Sequence, residues 1–203
     1  MEQKFFSKDC IILDGRMDEA AWNAVEEHTG FRQIKKQGGE LAPEMEQTIF
    51  KIIPCEDRIY VGFVCMEPDV QQVVASHPNR PIWMGDRVEL FLITNEANFD
   101  FYQFVVTFSG QMISNYYIEG GNTKPDPYAP DWKSAVYVGD DYWSVEMEIP
   151  LTAFYMTPND RWRKDWRANV IRCRSYDIKN IQVYQNCWAE CDRSFWEIGR
   201  AHV

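Results

Sequence analysis

Between residues 83 and 92 the chain reads W-M-G-D-R-V-E-L-F-L, where an indole, a guanidinium and two carboxylates fall within seven positions. Pro81 and Gly85 break any helix, and the run that follows is apolar and β-favouring, which predicts a loop leading into a buried strand. Side chains on a strand alternate between faces, so Arg87, Glu89 and Phe91 share one side and Val88, Leu90 and Leu92 the other. A flat ring at Trp83 ahead of an acceptor at Glu89 suits a ligand with one apolar face and a rim of hydroxyls, such as a sugar. The plainer reading is a core-edge tryptophan and a solvated glutamate. Taken alone, the ten residues favour the plainer reading, since buried aromatics outnumber sites.

Catalysis finds little support. Asp86 and Glu89 lie an odd number of positions apart, which places them on opposite faces of a strand, unable to flank one bond. Glu146 and Glu148 share a face, but their strand alternates regularly and reads as a solvated charge stripe. The histidines His28, His77 and His202 show no H-x-x-x-H spacing, and there is no G-x-S-x-G elbow or phosphate loop. The six cysteines show no C-x-x-C pair. Cys187 and Cys191 would need two further ligands to hold zinc, so free thiols are expected.

The totals narrow the class. The net charge of −10 and pI near 4.8 oppose binding to nucleic acid or anionic lipid. Apolar residues at 45% and aromatics at 15% supply a core for one domain spanning residues 1–203. No apolar run is long enough to cross a bilayer. Residues 1–10 lack a leader pattern, and with unpaired cysteines this points to the cytoplasm, or to secretion if a leader has been removed.

Stepping along the chain, a short strand at 11–15 precedes a brief helix at 18–26, from which Trp22 plugs the core. Residues 30–43 and 68–81 read as loops. Strands follow at 46–54 and 58–66, paired as a hairpin across residues 55–58, then at 86–92, 101–108 and 111–118. A second hairpin joins 132–138 to 142–149, and 167–176 and 198–203 complete the set. Many short strands with turn signals and one or two short helices predict an all-β, antiparallel β-sandwich of immunoglobulin or jelly-roll type.

In order, these pieces resemble carbohydrate-binding module family 9, a DOMON-like group. The motifs are L-D-G-R-M-D-E-A-A-W (13–22), D-R-I-Y-V-G-F-V-C-M-E-P-D (57–69), W-M-G-D-R-V-E-L-F-L, Y-Q-F-V-V-T-F-S-G (102–110), Y-W-S-V-E-M-E-I-P-L, W-R-A-N-V-I-R-C-R and the closing I-G-R. The resemblance implies non-catalytic binding of a mono- or oligosaccharide between two tryptophans. It maps the first onto Trp83, the gripping carboxylate onto Glu89, and the second onto Trp196, with Trp188 as the substitute. Gln103 would fix orientation. Two departures stand out, because the family's sugar-contacting arginine falls on Val105 and its asparagine on Thr107. A buried polar ligand loses affinity when such partners are missing. Arg172, or Arg174 beside it, is the expected replacement donor. The departures also admit an interaction module without sugar binding. DOMON-like haem binders suggest a third reading through Met84 and His77, although methionine there reads more simply as packing. Structural calcium at Glu56-Asp57 or Asp140-Asp141 is considered, but turn-forming acids explain both, and no cofactor is expected.

Overall fold

The computed structural model describes residues 5–76, 80–94, 100–118, 127–156, 166–175 and 183–191. Among the described residues ten strands form two antiparallel sheets. One runs β2 (Thr48–Pro54), β3 (Arg58–Met66), β8 (Tyr142–Pro150), β7 (Lys133–Val138). The other runs β1 (Arg32–Gln33), β10 (Val183–Cys187), β9 (Arg167–Ser175), β4 (Arg87–Ile93), β5 (Phe101–Thr107), β6 (Met112–Tyr117). The expected sandwich is present. Its core lies between the sheets, where Val88, Leu90, Phe104 and Val170 meet Val61, Phe63, Val145 and Met147. No helix among the described residues is long and apolar enough to cross a membrane.

Both hairpins close where the turn residues stand. Cys55 N–H donates to Arg58 O at 2.9 Å, and Gly139 N–H to Tyr142 O at 2.9 Å. The polar stretch 68–81 contains a short helix, α1 (Val70–Ser76), and the expected loop at 30–43 contributes β1. A strand also forms at β10, where the sequence pattern set no strand between 176 and 198. β10 holds because its partners β9 and β1 supply its hydrogen bonds. Local preference says nothing about partners that far away. The expected strand at 198–203 lies outside the described residues.

One expectation fails for an instructive reason. The outer face of the four-stranded sheet was expected to be wet, with Glu146 in solvent, yet Glu146 is fully buried. The N-terminal segment covers it. Glu146 Oε2 accepts the Asp14 and Gly15 N–H groups at 3.0 and 2.8 Å, while Oε1 accepts Met17 N–H at 3.2 Å and the Trp22 indole N–H at 3.0 Å. Trp22 therefore plugs a second, outer core with Ile11, Ile53 and Tyr60 rather than the space between the sheets. It sits on a single 3-10 turn, Ala20–Ala24, in place of the longer helix.

Two glycines permit this cover. Gly15 has φ 87° and lies so close to β7 that a Cβ would stand 2.6 Å from Tyr137 N. At Gly62 on β3 a Cβ would come within 2.4 Å of Met17 Cε. Replacing Glu146 by alanine leaves buried N–H groups unpaired, each costing about 1–3 kcal/mol. Glu146→Ala is expected to lose at least about 3 kcal/mol of stability, read as a lower urea midpoint; an unchanged midpoint would show that the segment does not depend on this carboxylate.

Candidate functional site

Trp83 sits in a 3-10 turn, Ile82–Met84, started by Pro81 and closed by Met84 N–H donating to Pro81 O at 2.8 Å. Trp83 is 45% exposed, where tryptophan is on average well buried. Arg87, the first residue of β4, turns back beneath it, with its guanidinium carbon 5.4 Å from the ring centroid. Arg87 Nη1 donates to Trp83 O at 2.8 Å and Gly85 O at 3.2 Å, so the cation both stacks on the ring and ties down its backbone.

The period-2 alternation of β4 carries Glu89 to the same outer face. Arg87 Nε donates to Glu89 Oε1 at 2.7 Å, Gln103 Nε2 to Oε2 at 2.8 Å, and the Cys173 thiol to Oε1 at 3.4 Å. Burial, with Glu89 adjacent, pushes the Cys173 thiol well above its usual range, so it remains a protonated donor. Asn115 Nδ2 then donates to Gln103 Oε1 at 2.8 Å, and Tyr117 OH reaches the same oxygen at 3.5 Å. A polar line thus runs from Trp83 through Arg87, Glu89 and Gln103 to Asn115, across β4, β5 and β6. Its members beyond Trp83 are buried, as are Val105 and Thr107 beside them.

Three of the expected site residues, Trp83, Glu89 and Gln103, are brought together. Arg172 is not. It pairs in register with Val88, whose side chain faces the interior, so strand alternation points Arg172 between the sheets. There its Nη2 lies 3.1 Å from Glu67 Oε2 and 3.7 Å from Asp86 Oδ1, and its guanidinium carbon is 4.8 Å from the Trp143 ring centroid. Arg174 joins the same cluster, gripping Glu67 at 2.9 and 2.7 Å and pairing with Glu46. The cation that answers Glu89 is therefore Arg87, in place of Arg172 or Arg174. The i, i+2 spacing of Arg87 and Glu89 already placed them on one face; what the sequence concealed was which neighbouring strand stood beside them.

Trp188 does not face Trp83 either. Its ring packs at 4.8 Å on Phe50 and 5.0 Å on His28, against the core between the sheets. Trp196, the preferred second tryptophan, lies outside the described residues, as does His77. Met84 is exposed beside Trp83. Asp57 is engaged with Arg58 at 3.0 Å, which fits its turn role. Among the described residues no group of three or more His, Cys, Asp or Glu gathers as a metal site. Asp86 and Glu89 do lie on opposite faces, the first against Arg172 and the second against Arg87.

No protein-family model matches the sequence, and no curated protein is significantly similar to it. Solved structures are similar in fold. A carbohydrate binding module family 9 from Caldicellulosiruptor kristjanssonii in complex with glucose superposes with a TM-score of 0.61 at 16% identity, covering 90% of this chain and 82% of that one. A family 9 module from the same organism in complex with cellotriose gives 0.59 at 14% identity, covering 97% and 96%. A candidate carbohydrate-binding protein from Bacteroides uniformis gives 0.57 at 16% identity, covering 83% and 78%. The chain has the fold of a family 9 carbohydrate-binding module.

Asp86 gives the stability of the fold a pH dependence. Burial raises its carboxyl to about 6 despite Arg172, and Glu67 adds to the rise. The folded state then holds the proton more tightly than the unfolded chain, so stability falls as pH rises from about 4 to above 6, by roughly 3 kcal/mol. Glu67 acts oppositely: burial is outweighed by Arg174 and Arg172, which hold its carboxyl below the usual range. The test is therefore differential. Relative to Asp86→Asn, the wild type should lose stability between pH 4 and 7.5 in urea titrations, and a constant gap would disprove the assignment.

Proposed function

We propose that this chain is a non-catalytic carbohydrate-binding module whose ligand lays its apolar face on the Trp83 indole. The observation that carries the reading is an exposed indole held rigidly beside a continuous line of side-chain donors and acceptors. Sugars bind well to such surfaces because a flat ring covers their C–H face while polar groups take the hydroxyls. Glu89 acts from behind, since both its oxygens already hold partners. It holds Arg87 and Gln103 in the buried network under the Trp83 turn, so the stacking surface is the Trp83 ring, with Trp196 as the second ring. A carboxylate so placed supplies no acid or base to a bond, which favours binding over catalysis.

Glucose and β-linked gluco-oligosaccharides are the ligands to try first, because two neighbours of the same fold are complexes with glucose and cellotriose. Titration calorimetry with Trp83→Ala should show at least about a tenfold weaker affinity. The unfolding midpoint should stay close to wild type, since the ring is half exposed. Equal affinity in the mutant would remove Trp83 from the site.

The enclosure of Glu89 and Gln103, and the apolar Val105 beside them, favour one other reading, an interaction module that keeps the fold without binding sugar. The same panel separates the two. Heat of binding to any mono- or oligosaccharide at millimolar concentration supports the first, and silence across the panel supports the second.

A further inference from the structure

All six cysteines carry free thiols in the structure, but their surroundings differ. Cys65 and Cys173 are fully buried and bonded to charged neighbours, Cys65 against Arg172 and Cys173 against Glu89. Cys10 and Cys55 lie against each other at a seam of the molecule, and only Cys10 is partly open to solvent.

Backbone pairing builds that contact. Phe6 forms a parallel bridge with Cys55, with Phe6 N–H donating to Pro54 O at 3.1 Å. A turn follows, closed by Cys10 N–H donating to Ser7 O at 3.1 Å and pinned by Tyr60 OH donating to Lys8 O at 2.7 Å. The turn folds Cys10 back over the end of β2. The Cys55 thiol is aimed at the same turn, donating to Ser7 O at 3.5 Å, and has the Cys10 thiol as its neighbour there. Neighbouring thiols on segments that backbone bonds hold side by side are candidates for bridging, since a disulfide needs its two Cα atoms within about 7 Å.

We propose that Cys10 and Cys55 are a disulfide-forming pair that, once oxidised, locks the N-terminal segment onto the four-stranded sheet. The inference does not rest on any reading of the ligand site. The oxidant is a small external disulfide, such as glutathione disulfide. Cys10, the more accessible of the two, loses its proton to solvent; its thiolate attacks one of the oxidant's sulfurs, that S–S bond breaks, and one glutathione thiolate leaves. Cys55 then gives its proton to solvent, and its thiolate attacks the Cys10 sulfur of the mixed disulfide, expelling the second glutathione thiolate. Two protein thiols lose two electrons, and one glutathione disulfide becomes two thiols. Burial pushes Cys10 up and Cys55 to about 12, so the reaction is slow at neutral pH and quickens as pH rises.

The bridge would close the loop from residue 10 to residue 55, which contains every contact of the N-terminal segment with Glu146. The start of that segment would then be tethered to the end of β2. Cys187 and Cys191 also touch, yet both are buried, and Cys191 already accepts from Asn169 Nδ2 at 3.1 Å and donates to Ala189 O at 3.4 Å. They serve as the internal comparison.

The test uses the full chain held with glutathione disulfide at pH 8, quenched in acid, alkylated and mapped without reduction. The expected product is a linked pair of peptides carrying Cys10 and Cys55, with Tm raised by roughly 5–15 °C. Cys10→Ser, a change at a partly exposed position, should abolish both. Cys55→Ser should halt the reaction with glutathione retained on Cys10. Recovery of Cys10 from the wild type as the mixed disulfide, alkylation of both cysteines, or a bridge at Cys187 and Cys191 alone would each overturn the proposal.

Discussion

The charge-assisted hydrogen bond between Arg87 Nε and Glu89 Oε1, at 2.7 Å, is the constraint on which the candidate site depends. Arg87 is the only described side chain that touches the Trp83 ring, the Trp83 and Gly85 carbonyls and the β4 carboxylate together. Through it the direction of an exposed indole is set by a strand in the middle of a six-stranded sheet. A buried ion pair adds little net stability, because desolvation offsets most of the attraction. Its consequence here is positional: breaking it would leave an uncompensated charge, and the turn at Ile82–Met84 would lose its tether.

The same device recurs at two other seams. Glu146 gathers four N–H groups and fixes the N-terminal segment to the outside of the four-stranded sheet. Glu67, between Arg172 and Arg174, ties the end of β3 to β9 inside the sandwich. In each case the carboxylate is enclosed and supplied with donors, as burial of a charge requires, although Glu89 and Glu146 read in sequence as surface charges. Strand alternation then divides the labour. Asp86 and Arg172 work on the inner side, Arg87 and Glu89 on the outer, and the single residue step from 86 to 87 separates the network inside the sandwich from the one that underlies Trp83.

Similarity in fold to family 9 modules at 14–16% identity means that the layer architecture is shared while most side chains differ. Function resides in the site rather than the fold. The site here departs from its expected form chiefly at Val105. That side chain lies opposite Glu89 in register, so an arginine there would have met the carboxylate across the strand pair. In this chain the guanidinium comes instead from two residues earlier on Glu89's own strand.

Much was legible in the sequence by itself. Alternating apolar residues and turn signals set the two hairpins and the strands from β4 to β9, because period-2 burial and tight turns are local properties. The same alternation placed Asp86 and Glu89 on opposite faces and put Trp83 before the strand. Tertiary structure decided which face was inside and what covered the other. Arg172 belongs to the core because its register partner is Val88, and Glu146 is buried because residues more than 120 positions earlier lie across it. Trp188 packs on Phe50 for the same kind of reason. Such outcomes depend on which distant segments meet, and a pattern read along one strand holds no information about its neighbours.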